Sequence, residues 1–493
     1  MTLRVLLEEA LGVSRNITGT VTGVAQDSRK VKRGFIFVAR PGLKIDGHAF
    51  VETAVKQGAI AVVGERSERE MAGLPYIQVS NAKAAVAQLA AAFYHYPAES
   101  FINFGVTGTD GKTTTSFILH HLLNQHFKTA LMSTAAIRIG KNNLELEGHF
   151  TTPEAPEVQA LLARFRESNC SHAVLETSSH GFAQHRLDEI SYHVGVWTNL
   201  TPEHLDFHES FEAYREAKLE LMRRSKIAIL NRDDPNFNHF AQAASSVISY
   251  GLSDRADWQA KYVRAVADRQ LFSLYLNRRG QNERYEVMLP MVGHYNIHNA
   301  LAAMAAAYQA GIKMPDIIKG LQSFPGVAGR MQVVQAEPFK VIVDFAHTPP
   351  ALEKALDTLR PITPGRLIVM IGAAGERDPI KRPSLGKISQ THADIAIFTE
   401  EDSRSENIVT ILIDIANGAI HAGGNATQTY WTIPDRRKAM RLAIGLAQPG
   451  DTVLLAGKGH ERSLERGYET IPWDEVAEAQ AILENRAAKE GKA

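Results

Sequence analysis

The sequence predicts an α/β protein of three domains: a small N-terminal α/β domain, a central domain with a mostly parallel sheet, and a C-terminal Rossmann-like α/β domain. Its 493 residues exceed what one core usually holds, since domains span about 100–200 residues. Short β-type runs alternate with helical patterns, which is typical of parallel sheets with crossover helices. This alternation starts afresh after the turn PGVAGRM. We expect the domains to span residues 1–98, 99–328 and 329–493.

Each segment contains its own β-type runs. In the first, the amphipathic run MTLRVLLEEALGV predicts a helix, and GFIFVAR, AIAVVGE and YIQVS predict strands. In the second, a strand, a glycine turn and a helix follow Ile102, and HAVLE, HVGVWTNL and KIAILN predict further strands. In the third, strands are predicted at KVIVDFAH, RLIVMIG, ADIAIFTE, QTYWTI and DTVLLAG.

Composition narrows the class of protein. Lys plus Arg and Asp plus Glu number 54 each, so no overall charge favours nucleic acid or an anionic membrane. The single cysteine, Cys170, excludes an intramolecular disulfide framework. Glu8 and Glu9 interrupt the apolar N-terminus, unlike a signal peptide, and no apolar run reaches the roughly 20 residues of a membrane span. We expect a cytoplasmic monomer without nucleic-acid partners or membrane insertion.

The run INFGVTGTDGKTTTSFILHHLL predicts a phosphate-binding loop between a strand and a helix. Gly108 and Gly111 allow backbone N–H groups to approach phosphate, and Lys112 supplies a positive charge. The general motif requires a glycine where this chain has Val106. The predicted nucleotide-binding residues are Gly108, Thr109, Asp110, Gly111, Lys112, Thr113 and Thr114.

The loop TGTDGKTT, from Thr107 to Thr114, is similar to the TGTNGKT signature of the Mur ligases and folylpolyglutamate synthetases. Further Mur-type motifs follow in the expected order. They are TTPEAPEVQ, LETSSHGFAQHRL, TNLTPEHLDFH, YREAKLEL, GHYNIHNALAA, GRM, DFAHTP, GAAGERDPIKRP, EDSRSE and GKGHE. The chain most resembles the MurE branch of this family. The resemblance implies an ATP-dependent ligase that adds a diamino acid to UDP-N-acetylmuramoyl-L-alanyl-D-glutamate during peptidoglycan synthesis.

The resemblance also implies a Mg²⁺ site. Glu176 and His204 fall on family positions that help hold the ion, and Thr113, or Thr114 beside it, offers a hydroxyl ligand. Lys218 falls on the lysine that is carbamylated by CO₂ in Mur ligases, which turns a cation into an anionic oxygen ligand. On residue pattern alone, Lys218 reads as a solvated lysine paired with glutamates of its helix. The predicted catalytic residues are Lys112, Glu176, His204 and Lys218.

Four more residues complete the implied ATP site. Asn296 and Asn299 match the positions that recognise adenine, although an asparagine there could instead cap the following helix. Arg330 and Asp344 resemble the residues that reach phosphate and ribose.

The implied UDP-muramoyl-peptide site draws on two segments. Ser28 and the loop residues Asp46, Gly47 and His48 are the uridine and diphosphate candidates. The muramoyl-dipeptide candidates are Thr151, Thr152, Ser178, Gln184 and Arg186.

The amino-acid pocket is the feature that distinguishes the MurE branch. Its predicted residues are Arg377, Glu401, Asp402, Arg404, Gly457 and Glu461. The family motif Asp-Asn-Pro-Arg reads Glu-Asp-Ser-Arg here. Arg404 favours the second carboxylate of meso-diaminopimelate, whereas Asp402 could favour L-lysine or L-ornithine or cancel the charge of Arg404. The sequence does not decide which of these three amino acids is added, and it narrowly favours meso-diaminopimelate.

Two other functions fit parts of the sequence. Another amide ligase of the superfamily, such as a folylpolyglutamate or cyanophycin synthetase, would share the loop but not the first-domain motifs or GKGHE. A nucleotide-binding regulatory protein would need the loop but not the metal residues.

Overall fold

The computed structural model describes residues 1–42, 46–68, 70–144, 152–266, 269–278 and 281–490. Within these ranges, no helix combines the length and the apolar character that crossing a bilayer requires. The chain divides into two compact units. The first contains Met1–Lys261, Leu274–Tyr285 and His298–Gly320, and the second contains Tyr262–Ser273, Glu286–Ile297 and Leu321–Ala493.

The N-terminal sheet has the order β1-β2-β3-β5-β4. Its strands are β1 (Gly23–Ala25), β2 (Phe35–Ala39), β3 (Ala61–Gly64), β4 (Glu70–Met71) and β5 (Leu74–Gln78). All are parallel except β4, which pairs antiparallel with β5. Helices α1 (Leu3–Leu11), α2 (Val51–Lys56) and α3 (Ala82–Phe93) belong to the same segment. Leu3, Leu6 and Leu7 of α1 are buried, which confirms the predicted amphipathic helix.

The central strands are β6 (Ile102–Thr107), β7 (Thr129–Met132), β8 (Ile137–Ile139), β9 (Asn142–Leu144), β10 (His172–Glu176), β11 (Tyr192–Trp197), β12 (Ser225–Asn231), β13 (Val247–Gly251), β14 (Trp258–Val266), β15 (Arg269–Arg278) and β16 (Gln281–Leu289). From β14 the sheet runs β14-β13-β12-β11-β6-β10-β7-β8-β9. The strands from β14 to β7 are parallel. Their continuous apolar runs fit a sheet that is buried on both faces.

The helices of this segment are α4 (Lys112–Leu123), α5 (Ala155–Glu167), α6 (Ser179–Ala183), α7 (Leu205–His208), α8 (Phe211–Arg223), α9 (Phe237–Ala243), α10 (His294–Gln309) and α11 (Met314–Gln322). Strand β6 lies between β10 and β11, with Val106 opposite Glu176 and Thr107 opposite Trp197. The loops after these three strands therefore meet at one edge of the sheet, where ligands bind in open α/β folds.

The C-terminal sheet has the order β17-β18-β22-β19-β20-β21. Its strands are β17 (Gln332–Gln335), β18 (Lys340–Asp344), β19 (Leu367–Ile371), β20 (Ile395–Phe398), β21 (Tyr430–Thr432) and β22 (Thr452–Ala456), followed by the hairpin of β23 (Ser463–Arg466) and β24 (Glu469–Pro472). Only β17 is antiparallel within this sheet. Its helices are α12 (Pro349–Leu359), α13 (Lys381–His392), α14 (Ile408–His421), α15 (Arg436–Leu446) and α16 (Glu475–Glu490).

These sheets confirm the predicted fold class, α/β with mostly parallel strands in three successive segments. Each sheet lies within one predicted domain. The domain limits at residues 98 and 328 stay predictions, because the two compact units follow a different division of the chain.

Candidate functional site

The loop between β6 and α4 has the geometry of a phosphate-binding loop. Helix α4 begins at Lys112, and Gly111 precedes it with φ 82°, a left-handed conformation that favours glycine. A side chain at Gly111 would also collide with the amide of Asn299. The strand, turn and helix predicted around this loop are therefore all present.

Lys112 lies over the loop that precedes it. Its Nζ donates to the carbonyl oxygens of Gly108 and Thr109, at 3.0 and 2.7 Å. The loop is fixed to the neighbouring strand end, because Asp110 N donates to Asn199 Oδ1 at 2.9 Å. The ammonium group of Lys112 thus lies at the opening of the loop, where phosphate oxygens would bind.

Glu176, the last residue of β10, is almost fully buried beside the loop. Its carboxylate accepts hydrogen bonds from the hydroxyl groups of Thr113 and Thr134, at 3.0 and 3.1 Å, and from Ser133. Ser178 caps helix α6 by accepting from Gly181 N. The structure therefore brings together two of the predicted metal ligands, Thr113 and Glu176. Within the described ranges, no group of three His, Cys, Asp or Glu residues could hold a metal ion by itself.

Lys218 is buried, in contrast to the solvated lysine that its sequence pattern suggests. Only 2% of the residue is exposed, and its Nζ donates to Gly108 O at 2.6 Å. The ammonium also lies 4.7 Å from the centre of the Tyr214 ring. Burial, followed by the charge of Lys112, holds the pKa of Lys218 well below its usual value. This shift favours the neutral amine, which is the form that reacts with CO₂.

His204 precedes α7 and has a left-handed backbone, with φ 56°. Its side chain is half-exposed, and its Nε2 lies 3.7 Å from a carboxylate oxygen of Glu203. Its ring meets the ring of His180 edge-on at 4.7 Å. The role of His204 as a metal ligand stays a prediction.

The two asparagines of α10 do not cap that helix. Both lie inside the helix, which begins at His294, whereas a cap residue precedes the first helical residue. Asn296 donates from Nδ2 to Val292 O at 2.7 Å. Asn299 accepts from the hydroxyl of Thr115 in α4, at 3.3 Å. The alternative explanation for these residues is therefore wrong, and adenine recognition stays a prediction.

In the second unit, Arg330 and Asp344 are close together. The Arg330 guanidinium lies 4.4 Å from the centre of the Phe345 ring, and Asp344 accepts from Met331 N at 3.3 Å. Burial raises the pKa of Asp344 to about 6, although Arg330 acts in the opposite direction.

The predicted uridine and diphosphate residues lie in the N-terminal segment. Ser28 is buried at the start of a single 3₁₀ turn. Asp46 caps the short helix Gly47–Phe50 and accepts from His48 Nδ1 at 2.7 Å. The hydrogen bonds from His48 hold the pKa of Asp46 well below its usual range. A side chain at Gly47 would meet the backbone of Arg40, so the loop requires glycine there.

Four of the predicted muramoyl-dipeptide residues are joined by hydrogen bonds. Ser178 Oγ donates to Thr152 Oγ1 at 3.0 Å, and Arg186 donates to Thr152 O at 2.9 Å. Arg186 also donates to Gln184 Oε1 at 2.8 Å and to Glu154 Oε1 at 2.6 Å. Thr151 lies outside the described residues.

The predicted amino-acid pocket lies where β19, β20 and β22 end. Asp402 accepts from Lys458 Nζ at 2.8 Å and from Glu465 N at 2.9 Å. Arg404 donates from Nη1 to Gly375 O at 2.6 Å. These contacts contradict the alternative in which Asp402 pairs with Arg404. Arg377 is exposed on the loop after β19.

Lys458 is a residue of this pocket that the sequence analysis missed. It follows Gly457, and its Nζ lies 2.6 Å from Glu461 Oε2 as well as 2.8 Å from Asp402 Oδ1. The GKGHE motif contains both Lys458 and Glu461, so their spacing of three residues could have indicated the pair. The structure thus links Asp402 to Glu461 through one buried ammonium.

Comparisons with known proteins show which family the chain is similar to. The family model of the Mur ligase family catalytic domain matches residues 20–94, that of the Mur ligase middle domain matches 106–307, and that of the Mur ligase glutamate ligase domain matches 329–459. A UDP-N-acetylmuramyl-tripeptide synthetase of Deinococcus radiodurans is 44% identical over 473 residues, covering 94% of this chain and 95% of the relative. A UDP-N-acetylmuramoyl-L-alanyl-D-glutamate–2,6-diaminopimelate ligase of Alkaliphilus metalliredigens is 37% identical and covers 94% and 93%.

Solved structures show the same fold. A UDP-N-acetylmuramoyl-L-alanyl-D-glutamate–2,6-diaminopimelate ligase aligns with a TM-score of 0.69 at 29% identity, over 99% of this chain and 100% of that one. MurF ligase from Thermotoga maritima, solved in complex with ADP, aligns with a TM-score of 0.64 at 20% identity over 95% and 98%, a likeness of fold. Family models along most of the chain, together with near full-length relatives at 37–44% identity, show that this chain belongs to the Mur ligase family.

Proposed function

We propose that this chain is the ADP-forming amide ligase that adds a diamino acid to UDP-N-acetylmuramoyl-L-alanyl-D-glutamate in peptidoglycan synthesis. Relatives with this activity in their names cover nearly the whole chain. The burial of Lys218 against the phosphate-binding loop is the observation that carries the proposal. A protein that only binds nucleotide has no use for a buried lysine beside a buried carboxylate at that loop.

The reaction proceeds in two steps. The side-chain carboxylate of the D-glutamyl residue attacks the γ-phosphorus of ATP, which gives an acyl phosphate and ADP. The amine of the incoming amino acid then attacks the acyl carbon, and the tetrahedral intermediate collapses to an amide and phosphate. Lys112 neutralises charge on the transferring phosphoryl group, and exclusion of water protects the acyl phosphate.

A Mg²⁺ ion fits the residues beside the loop. Thr113 and Glu176 offer hard hydroxyl and carboxylate oxygens in direct contact. Lys218 fits as a ligand only after carbamylation, because an ammonium cannot bind a cation. We infer that Thr113, Glu176, His204 and carbamylated Lys218 hold the ion, which would neutralise charge on the ATP phosphates.

We assign the three parts of the substrates to the other groups of predicted site residues. Ser28, Asp46, Gly47 and His48 would bind the UDP end, and the group around Arg186 would bind the muramoyl-dipeptide. The guanidinium of Arg404 would bind the second carboxylate of meso-diaminopimelate through parallel hydrogen bonds. Asp402 does not cancel that charge, because Lys458 engages it instead. We therefore favour meso-diaminopimelate over L-lysine and L-ornithine.

We further infer that the enzyme acts in the cytoplasm as a monomer. Its equal numbers of acidic and basic residues fit a protein without nucleic-acid or membrane partners.

A phosphate-release assay tests the proposal. Purified protein receives ATP, Mg²⁺ and UDP-N-acetylmuramoyl-L-alanyl-D-glutamate, with meso-diaminopimelate, L-lysine or L-ornithine added separately. We expect release that requires both the dipeptide and a diamino acid, and mass spectrometry should detect the UDP-linked tripeptide. Release that requires folate and glutamate, or no acceptor at all, would instead support one of the two alternative functions.

A further inference from the structure

Lys458 is a buried cation between two carboxylates of the C-terminal pocket. Its side chain is 1% exposed, and it bridges Asp402 and Glu461 at 2.8 and 2.6 Å. Burial by itself lowers the pKa of Lys458, but the Glu461 and Asp402 carboxylates outweigh that effect and raise it. The residue is therefore a fixed positive charge in the pocket.

The carboxylates around Lys458 outnumber it. Glu401 and Asp402 each interact electrostatically with Glu461. The buried Arg436 also interacts with Glu401, but its charge is balanced by the paired Glu475. Glu401 Oε2 is buried and has no hydrogen-bond partner among the described residues. A buried carboxylate oxygen without a partner is costly, so this position favours a cation supplied from outside the chain.

The contacts of Lys458 determine which carboxylates carry the negative charge that its ammonium does not neutralise. Asp402 Oδ1 accepts from Glu465 N as well as from Lys458 Nζ. Glu461 is partly exposed, with 30% of its side chain accessible, and its Oε2 is held by Lys458. The cluster therefore keeps a net negative charge, and Glu461 presents more of it than Asp402, whose side chain is only 11% accessible.

We propose that Lys458 is a positioning residue for the amino acid that this ligase adds. Its ammonium neutralises Asp402 and orients Glu461, so that Glu461 and Glu401 together receive one ammonium group of the incoming diamino acid. This inference rests on the proposed function. It gives a role in the charge of the pocket to Lys458, which is not one of the predicted amino-acid-binding residues.

The test replaces Lys458 by Met, which keeps the length of the side chain and removes its charge. We expect the KM for the diamino acid to rise by about tenfold or more, while the KM values for ATP and the UDP-linked dipeptide change less than about twofold. The double variant Lys458→Met/Asp402→Asn removes a carboxylate together with the ammonium. It should recover part of the lost affinity, which loss of a purely structural contact would not do.

Arg366→Met is the matched control. Arg366 pairs with the buried Asp451 at 2.7 Å, but it precedes β19, at the opposite end of the strand from the pocket. Its loss should leave every KM unchanged. If Lys458→Met does not fold, as judged by circular dichroism, Asp402→Asn replaces it, and we again expect a selective rise in the KM for the diamino acid.

Two results would overturn the inference. One is an unchanged KM for the diamino acid in a folded variant, and the other is an equal rise for all three substrates, which would indicate a structural role. Neither result affects the proposed function if wild-type protein releases phosphate only with a diamino acid. Failure of the wild-type protein in that assay would count against the proposed function itself.

Discussion

Lys112 and Lys218 donate to the same backbone oxygen, the carbonyl of Gly108. Burial, followed by repulsion from the Lys112 ammonium at the same acceptor, lowers the pKa of Lys218 and favours its neutral form. Lys112 is the residue that can move toward phosphate, since it lies at the loop surface and is only partly buried. The two lysines therefore have different chemistry in spite of their shared contact.

Lys112→Ala should abolish turnover and leave the fold intact. The charge of Lys112 is needed on the ATP phosphates, whereas a partly exposed loop lysine adds little stability. We expect phosphate release to fall by at least about 100-fold, with an unchanged thermal unfolding curve by circular dichroism. Near wild-type activity in the purified variant would remove the assignment of the phosphate-binding loop.

Lys218→Ala should be nearly inactive and should be partly rescued by short carboxylates such as acetate or formate. These anions can occupy the space of the missing carbamate and supply its oxygens to Mg²⁺. Phosphate release measured with increasing carboxylate provides the test, and Lys112→Ala treated in the same way is the control that should show no rescue. A crystal structure with unmodified Lys218 at saturating CO₂ would contradict the carbamate.

Arg404→Ala should change the choice of amino acid. If meso-diaminopimelate is the substrate, the variant loses the partner of its second carboxylate, and kcat/KM should fall by the equivalent of about 2–5 kcal/mol. L-lysine and L-ornithine should gain relative to it. A wild-type preference for lysine or ornithine in the same phosphate-release assay would show that our prediction of meso-diaminopimelate is wrong.

At the scale of elements, a buried ion pair joins four parts of the C-terminal segment. Arg436, the first residue of α15, binds the Glu475 carboxylate of α16, with both side chains fully buried. Its Nη1 donates to Glu400 O at 2.9 Å, and its Nη2 donates to Ala456 O at 2.8 Å as well as to Glu475. These carbonyls directly precede Glu401 and Gly457, so the pair also fixes the loops that carry the amino-acid pocket.

Arg436→Met should destabilise the protein by about 3–5 kcal/mol, because it leaves the Glu475 carboxylate buried and unpaired. The matched control is Arg437→Met, which removes a pair with Glu478 that joins the same two helices at the surface. That loss should cost less than about 1 kcal/mol. Urea unfolding followed by circular dichroism compares the two, and equal effects would contradict the importance of the buried pair.

At the scale of the whole molecule, the buried Asp344 makes stability depend on pH. Its folded pKa of about 6 lies above the ordinary value of 3.8, so the folded state binds a proton more readily than the unfolded state. Ionisation therefore destabilises the fold as pH rises through 6, and the penalty is absent below the unfolded pKa.

Asp344→Asn should remove this penalty. Relative to wild type, we expect a gain of the order of 2–3 kcal/mol at pH 7.5 and almost none near pH 4, because asparagine does not ionise. Unfolding midpoints measured at both pH values test this. A stability difference that is the same at the two pH values would contradict a raised pKa.

The fold class, the family and the phosphate-binding loop could all be predicted from the amino-acid sequence. Each depends on residues that are adjacent in the chain: apolar runs such as LIVMI form buried strands, and TGTDGKTT contains a strand end, a turn and a helix start within eight residues. Local patterns suffice for such features, since backbone conformation and hydrophobic periodicity are properties of neighbouring residues.

The pairing of the charged side chains, in contrast, could be seen only in the folded structure. Lys218 looks solvated from its helix, yet it is buried against Gly108, which is 110 residues away in sequence. Asp402 could have paired with Arg404 nearby, but it meets Lys458, which is 56 residues away. Partners of this kind are set by which strand ends meet at the edge of a sheet. The burial that controls their pKa values exists only after those strands have packed together.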